Sequence, residues 1–421
     1  MATTAPTYQV DRSLADVDHD EGLDPYPRFS LAERDRRWSA VRARMAAAGL
    51  DVLVTPQNSG HSTDFQANSR YLSHVGGGGD ADIGVVFPLQ GEVTAVATSA
   101  KLRWPNVQNW VTDVREARRN YGRVMAERLK ELNPRVVGIA GLGEGTRSPE
   151  GTILYGTYRQ IREACPNAEL RDATDLMVEA RWVKSEEEIA FLARSNDIID
   201  AGYDAEIAAA KPGASDWVVW GEAMGAMLRA GSELPVHYNW VSGPRPLRTQ
   251  ARPCYRLLQP GDVILNELEA SWAGYRAQQD LPVAVGQPDP AFVELMKVQD
   301  DLFHTTLAAL TPGTTLGELA ARCKARAAEI APRSGPAAGV QGVLNMHGRG
   351  QGDDGPIITD SARDPAPLAV PLQERMVFVL KPGVVSADGQ YAITFGDTVV
   401  VTAQGGRRLG TRPHGIAIAG A

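Results

Sequence analysis

The chain has 421 residues, 43% of them apolar, which is enough for two domains with well-buried cores. Its 51 acidic and 43 basic residues leave a net charge of −8, which argues against a nucleic-acid-binding surface. No apolar run approaches the ~20 residues of a membrane span. The polar, acidic N-terminus lacks the basic and apolar regions of a signal peptide, and Cys165, Cys254 and Cys323 are too scattered to form a disulfide framework. A cytoplasmic protein is expected.

Residues 1–30, with Pro25 and Pro27, read as an extended arm. The stretch 33–50 has helical spacing at Trp38, Val41 and Met45 and ends at Gly49. Short β-branched runs at 51–56, 83–89, 92–99 and 135–142 predict strands alternating with helices, an α/β domain over 31–178. Its glycine clusters do not suggest nucleotide binding. Gly76–Gly79 lacks the Lys-Ser/Thr of a phosphate loop, and the run 138–145 has the wrong glycine spacing. Ser185 followed by Glu188 forms a capping box that opens the first helix of a second domain over 179–421. From there long helices alternate with strands. In 235–243, strand register would put His237 and Asn239 on one face and Tyr238 and Trp240 on the other.

Four segments of the second half carry the chemistry: GDVILNELEASWAGYRAQQDLPVAVG (261–286), HGRGQGDDGP (347–356), VFVLKPG (377–383) and FGDTVVVT (395–402). In order, spacing and flanking glycines they resemble the C-terminal half of the creatinase/aminopeptidase P/methionine aminopeptidase family. NSRYLS (68–73) and the R-x-x-K-S-x-x-E-I segment around 181–189 resemble its first domain and its interdomain join. The resemblance implies an α/β N-terminal domain plus an α+β C-terminal pita-bread domain, built as two α-β-β repeats.

That family usually binds two metal ions through two Asp, one His and two Glu. The matching positions here are Glu267, Gln278, His347, Lys381 and Gly396. A pair of divalent ions needs several carboxylates to neutralise it, and an ammonium at a bridging position would repel it. No metal and no other cofactor is therefore expected. Lys381 is instead expected to stand in the vacated cation position and pair with Glu267. A turn around Ser271–Gly274 must reverse the chain so that Glu267 and Gln278 face one cavity.

His347 is the first candidate for proton transfer, because an ordinary imidazole titrates near physiological pH. Its plainer reading is a hydrogen-bonded remnant. Glu267 is the alternative base, and Lys381 and Gln278 would stabilise developing negative charge. A second family His falls on Asp353 or Asp354, one expected to line the pocket and the other to be a solvated loop charge. Arg349 and Arg252 suit a substrate carboxylate, though either could pair with those aspartates. Gln250 stands where relatives often carry a His used as acid/base by creatinase, so that mechanism does not transfer whole. His237 and Tyr238 are further pocket candidates.

The resemblance implies a homodimer in which Phe65 and Arg70 close the partner's pocket. The expected activity is metal-independent cleavage of a C–N bond in a small polar, nitrogen-containing metabolite. A lyase, decarboxylase or isomerase working by proton abstraction would use the same parts. A non-catalytic binding protein, or a single ion held by Glu267, His347 and a loop aspartate, are the remaining readings.

Overall fold

Ser30 ends the N-terminal arm and caps the first long helix, α1 (Leu31–Ala47), its hydroxyl accepting from the Glu33 amide. The computed structural model describes residues 5–57, 66–76, 82–98, 107–145, 148–234, 239–247, 252–358 and 366–420; Phe65, His237, Tyr238 and Gln250 lie outside them. The expected strands appear as β1 (Val52–Thr55), β2 (Ile83–Pro88), β3 (Thr94–Ala97) and, later in the chain, Val136–Ile139. Adding β4 (Asp113–Glu116), β5 (Val136–Ile139) and β6 (Glu169–Asp172) gives one sheet in the order β4-β3-β2-β1-β5-β6. Helices α2 (Ala67–Ser73), α3 (Tyr121–Leu132), α4 (Tyr155–Ala164) and α5 (Thr174–Ala180) complete the first domain.

The buried stripe of α1 is Glu33, Arg37, Val41 and Met45, so two of its four members are charged. They tolerate burial because they satisfy each other: Arg37 Nε lies 2.6 Å from Glu33 Oε1. The Arg37 guanidinium also lies over the rings of Phe29, Tyr71, Trp110 and Tyr275, at 4.3 to 5.7 Å. Tyr275 belongs to the second half of the chain, so this contact joins the two domains. Its hydroxyl donates to Glu188 at 2.6 Å.

The second domain opens with α6 (Glu186–Ala209), whose capping box pairs Ser185 with Glu188 as expected. Helix α7 (Asp216–Arg229) and strands β7 (Asn239–Gly243), β8 (Val263–Trp272), β9 (Tyr275–Gln279) and β10 (Val283–Val285) follow. A second set repeats the plan with α8 (Pro290–Ala308), α9 (Leu316–Ile330), β11 (Gln341–Gly348), β12 (Val377–Val385), β13 (Ala392–Thr394) and β14 (Asp397–Val400). This is the two-domain, two-repeat architecture that the motifs imply.

The β8–β9 turn has positive φ at both central residues, 47° at Ala273 and 86° at Gly274. Such a turn matches the natural twist of a hairpin. It places Glu269 opposite Gln278, so Glu267, Glu269 and Gln278 share one face. In the second sheet Asn345 faces Lys381 and His347 faces Val379, which puts Lys381 and His347 on a common face. The two sheets are sewn together where Asp280 and Gly396 exchange backbone hydrogen bonds of 2.9 Å. The Thr398 hydroxyl adds bonds to the Gln278 amide and carbonyl, at 3.0 and 2.9 Å.

Two outcomes follow. Tyr275→Ala removes a buried ring and a cross-domain hydrogen bond, so it should cost about 3–5 kcal/mol in urea unfolding; a loss below ~1 kcal/mol would contradict the joint described here. Glu206 on α6 is buried, and burial pushes its carboxyl up to about 8 despite a 2.6 Å bond from Asn266. The fold thus favours its neutral form, a contribution complete below about 4.5 and lost as pH rises through about 8. Glu206→Gln should unfold near the wild-type temperature at pH 4.5 and at a higher temperature than wild type at pH 9. Equal midpoints at pH 9 would refute this.

Candidate active site

Lys381 on β12 and Glu267 on β8 meet in the space between the sheets, with Nζ 3.2 Å from Oε1. Both are buried. A second cation lies beside them. Arg349 is buried, with one terminal nitrogen 2.7 Å from Asp353 Oδ1 and the other 2.7 Å from Glu269 Oε2. The latter nitrogen also donates to the side-chain Oε1 of Gln278. Burial works against the Arg349 charge, but the adjacent Asp353 and Glu269 outweigh it and raise its titration further. Arg276 reaches the other oxygen of Glu269 at 3.1 Å. His347 is buried, with Nδ1 3.5 Å from Asp353 Oδ1.

Lys381 and Gly396 are coupled. A side chain at Gly396 would place its Cβ 2.6 Å from Lys381 Cγ and 3.2 Å from Asp280 Cγ. The lysine stem therefore fills the room that the family's last glutamate would need. Next to Gly396, Asp397 turns to the opposite face and binds Arg408 at 2.6 Å. Burial still pushes the Asp397 carboxyl up to about 6.

Other predicted residues fall elsewhere. Neither aspartate of the 347–356 loop is solvated, which corrects that expectation. Asp353 binds Arg349, while Asp354 is gripped by Arg181 Nε and Lys184 Nζ, each at 2.8 Å. Arg349 is occupied by protein carboxylates, so it is not a free clamp for substrate. Arg70 is buried and paired with Glu233 of its own chain at 2.8 Å. That pairing, with a hydrogen bond from the Ser271 hydroxyl, overcomes burial and holds the Glu233 carboxyl down to about 2. Arg252 is exposed and makes no ion pair with the described residues.

Glu269, Asp280, Arg276, Arg181 and Lys184 belong to this cluster although none stands at a ligand position of the family. A signal for the first two was present. Each lies two residues beyond a ligand position, on the same strand face. Arg181 and Lys184 are the first and fourth residues of the R-x-x-K-S segment, but nothing in their spacing tells which carboxylate they meet.

The donor set does not fit a metal pair. One ligand position is an amide held by Arg349, one is an ammonium held by Glu267, and one has no side chain. Among the described residues no three His, Cys, Asp or Glu gather closely enough to hold an ion. Two protein cations, Lys381 and Arg349, instead neutralise the inward-facing carboxylates.

An α/β domain followed by a pita-bread domain is the two-domain architecture of the creatinase/prolidase type. Residues 190–403 match the metallopeptidase family M24, and residues 37–183 match the creatinase/prolidase N-terminal domain. The chain belongs to family M24. It is 25% identical over 316 residues to a creatinase of Bacillus sp. (strain B-0618), covering 72% of this chain and 71% of that protein. A Xaa-Pro dipeptidase of Pyrococcus furiosus is 25% identical over 262 residues, 62% of this chain and 72% of its own length. In fold the chain matches an X-Pro aminopeptidase from Thermotoga maritima, with a TM-score of 0.74 at 19% identity over 90% of this chain and 99% of that one.

Removing one member of the buried pair should cost more than removing both. Lys381→Met leaves the Glu267 carboxylate buried without its ammonium and should lose about 3–5 kcal/mol in denaturant unfolding. Adding Glu267→Leu should recover most of that loss. Additive losses in the double variant would show that the two side chains are not coupled.

Proposed function

We propose that the chain is a hydrolase that cuts a C–N bond of a small polar, nitrogen-containing metabolite by general acid–base catalysis, without a metal. The observation that carries this reading is Lys381, a cation built into the protein at a bridging-ligand position and paired with Glu267. An ammonium there can stabilise negative charge that develops on a substrate oxygen or nitrogen, the task a metal performs in relatives. Similarity to creatinase supports the reaction type, and the substitutions at the ligand positions argue against copying the peptidase chemistry of the other relatives.

In this scheme His347 takes a proton from water as the water oxygen adds to the electrophilic carbon. Negative charge collects on the atom facing Lys381. The C–N bond then breaks, and the imidazolium returns its proton to the departing nitrogen. Asp353, beside His347 Nδ1, favours the charged imidazole that forms between those steps. The chain works as a homodimer in this reading, with the 61–73 segment near the partner's site, and light scattering at micromolar concentration should give twice the mass of one chain.

The test is a panel of N-carbamoyl, N-amidino and N-acyl amino acids, assayed with excess chelator for release of the nitrogen-bearing product. Turnover of at least one compound should survive chelation. His347→Ala should lower it by about 100-fold or more with the unfolding midpoint kept. Lys381→Glu should abolish it, since two carboxylates would then face each other. Turnover that needs added metal, or full activity in His347→Ala, would overturn the proposal. Product formed without water uptake would favour a lyase using the same residues.

A further inference from the structure

A cavity of about 580 Å³ opens between α8, the two ends of β10 (281–288) and the segment 412–418, separate from the buried charge cluster. Its size falls in the range of small-molecule sites, roughly 300–1,000 Å³. Leu281, Val293, Met296 and Ile416 give it apolar walls. Val293 stands at its mouth, 43% exposed.

The charges around the cavity are unequally committed. Asp300 is taken by His414 Nδ1 at 2.7 Å and His304 Nε2 at 3.3 Å. Arg412 is taken by Asp200 and Asp204, at 3.0 and 2.6 Å. Lys297, exposed at the rim one turn after Val293, makes no ion pair with any described residue. The cavity thus offers an apolar slot with one uncommitted positive charge at its mouth.

The same walls touch the residues on either side of Gly396. The His414 ring packs 4.1 Å from the Phe395 ring, immediately before Gly396. Arg408 donates to the Arg412 carbonyl at 2.7 Å and to Asp397, immediately after Gly396, at 2.6 Å. Both neighbours of the residue that makes room for Lys381 are therefore tied to the cavity.

We infer that this cavity is a second ligand site, for a small amphipathic carboxylate whose tail lies on the apolar walls and whose charge meets Lys297. The ligand class follows from charge and shape: an ammonium would meet Lys297 as a like charge, and a polar molecule would leave the apolar walls unmatched.

Calorimetric titration of the full chain with octanoate, octylamine and octanol tests this. Octanoate should bind once per chain and at least about tenfold more tightly than octylamine or octanol. Val293→Trp, which fills the mouth, should remove binding, and Lys297→Glu should weaken it by about tenfold or more, with unfolding midpoints of both variants unchanged. Bound octanoate should also slow amide exchange across 392–400. Absence of saturable binding, equal affinity for octylamine, or binding that persists in both variants would overturn the site. Binding lost in Lys381→Met but kept in Val293→Trp would place octanoate in the charge cluster instead, and would equally overturn it.

Discussion

An ammonium buried between two sheets sets the charge balance on which the centre of the molecule depends. Lys381 stands 3.2 Å from Glu267, and neither side chain can reach enough water to be neutralised by solvent. Desolvating one charge costs several kcal/mol unless an opposite charge sits against it. Arg349 repeats the solution on the glycine-rich loop, answering Glu269 and Asp353 together. The carboxylates of the site are thus matched by cations of the chain itself. Gly396 completes the exchange, because its missing side chain leaves the space that the Lys381 stem fills.

The frame around this cluster fixes it from outside. Asp354 lies five residues beyond Arg349 and is anchored by Arg181 and Lys184, both on the segment that joins the domains. Arg181 in turn reaches Asn68 in the first domain. On the other side, Arg37 of α1 lies within an aromatic cage that includes Tyr275, one residue past the turn that aligns Glu269 with Gln278. The first domain therefore grips both the hairpin and the glycine-rich loop. Catalytic groups held by locked neighbours keep their geometry without reorganisation during reaction, which is where electrostatic stabilisation is most effective.

Much of this was legible in the residues. Gly274-Tyr275 fixed the hairpin register, and the capping box at Ser185 and Glu188 marked the start of α6. The Lys381–Glu267 contact followed from the family resemblance, which puts these two opposite charges at ligand positions of one site. Other parts were not legible, for physical reasons. Asp354 reads as a loop charge until its two cations arrive from residues more than 150 positions away in the chain. The stripe of α1 looks apolar from Trp38, Val41 and Met45, whereas burial goes to Arg37 because a ring cage and Glu33 stabilise its charge. Glu269 and Asp280 were available to strand alternation but lay outside the motif positions.

Anomalous scattering from crystals soaked in millimolar Mn²⁺ or Co²⁺ should show no peak between β8 and β12, with the Lys381 Nζ still against Glu267. Two peaks bridging Glu267 and His347, with Lys381 displaced, would contradict it.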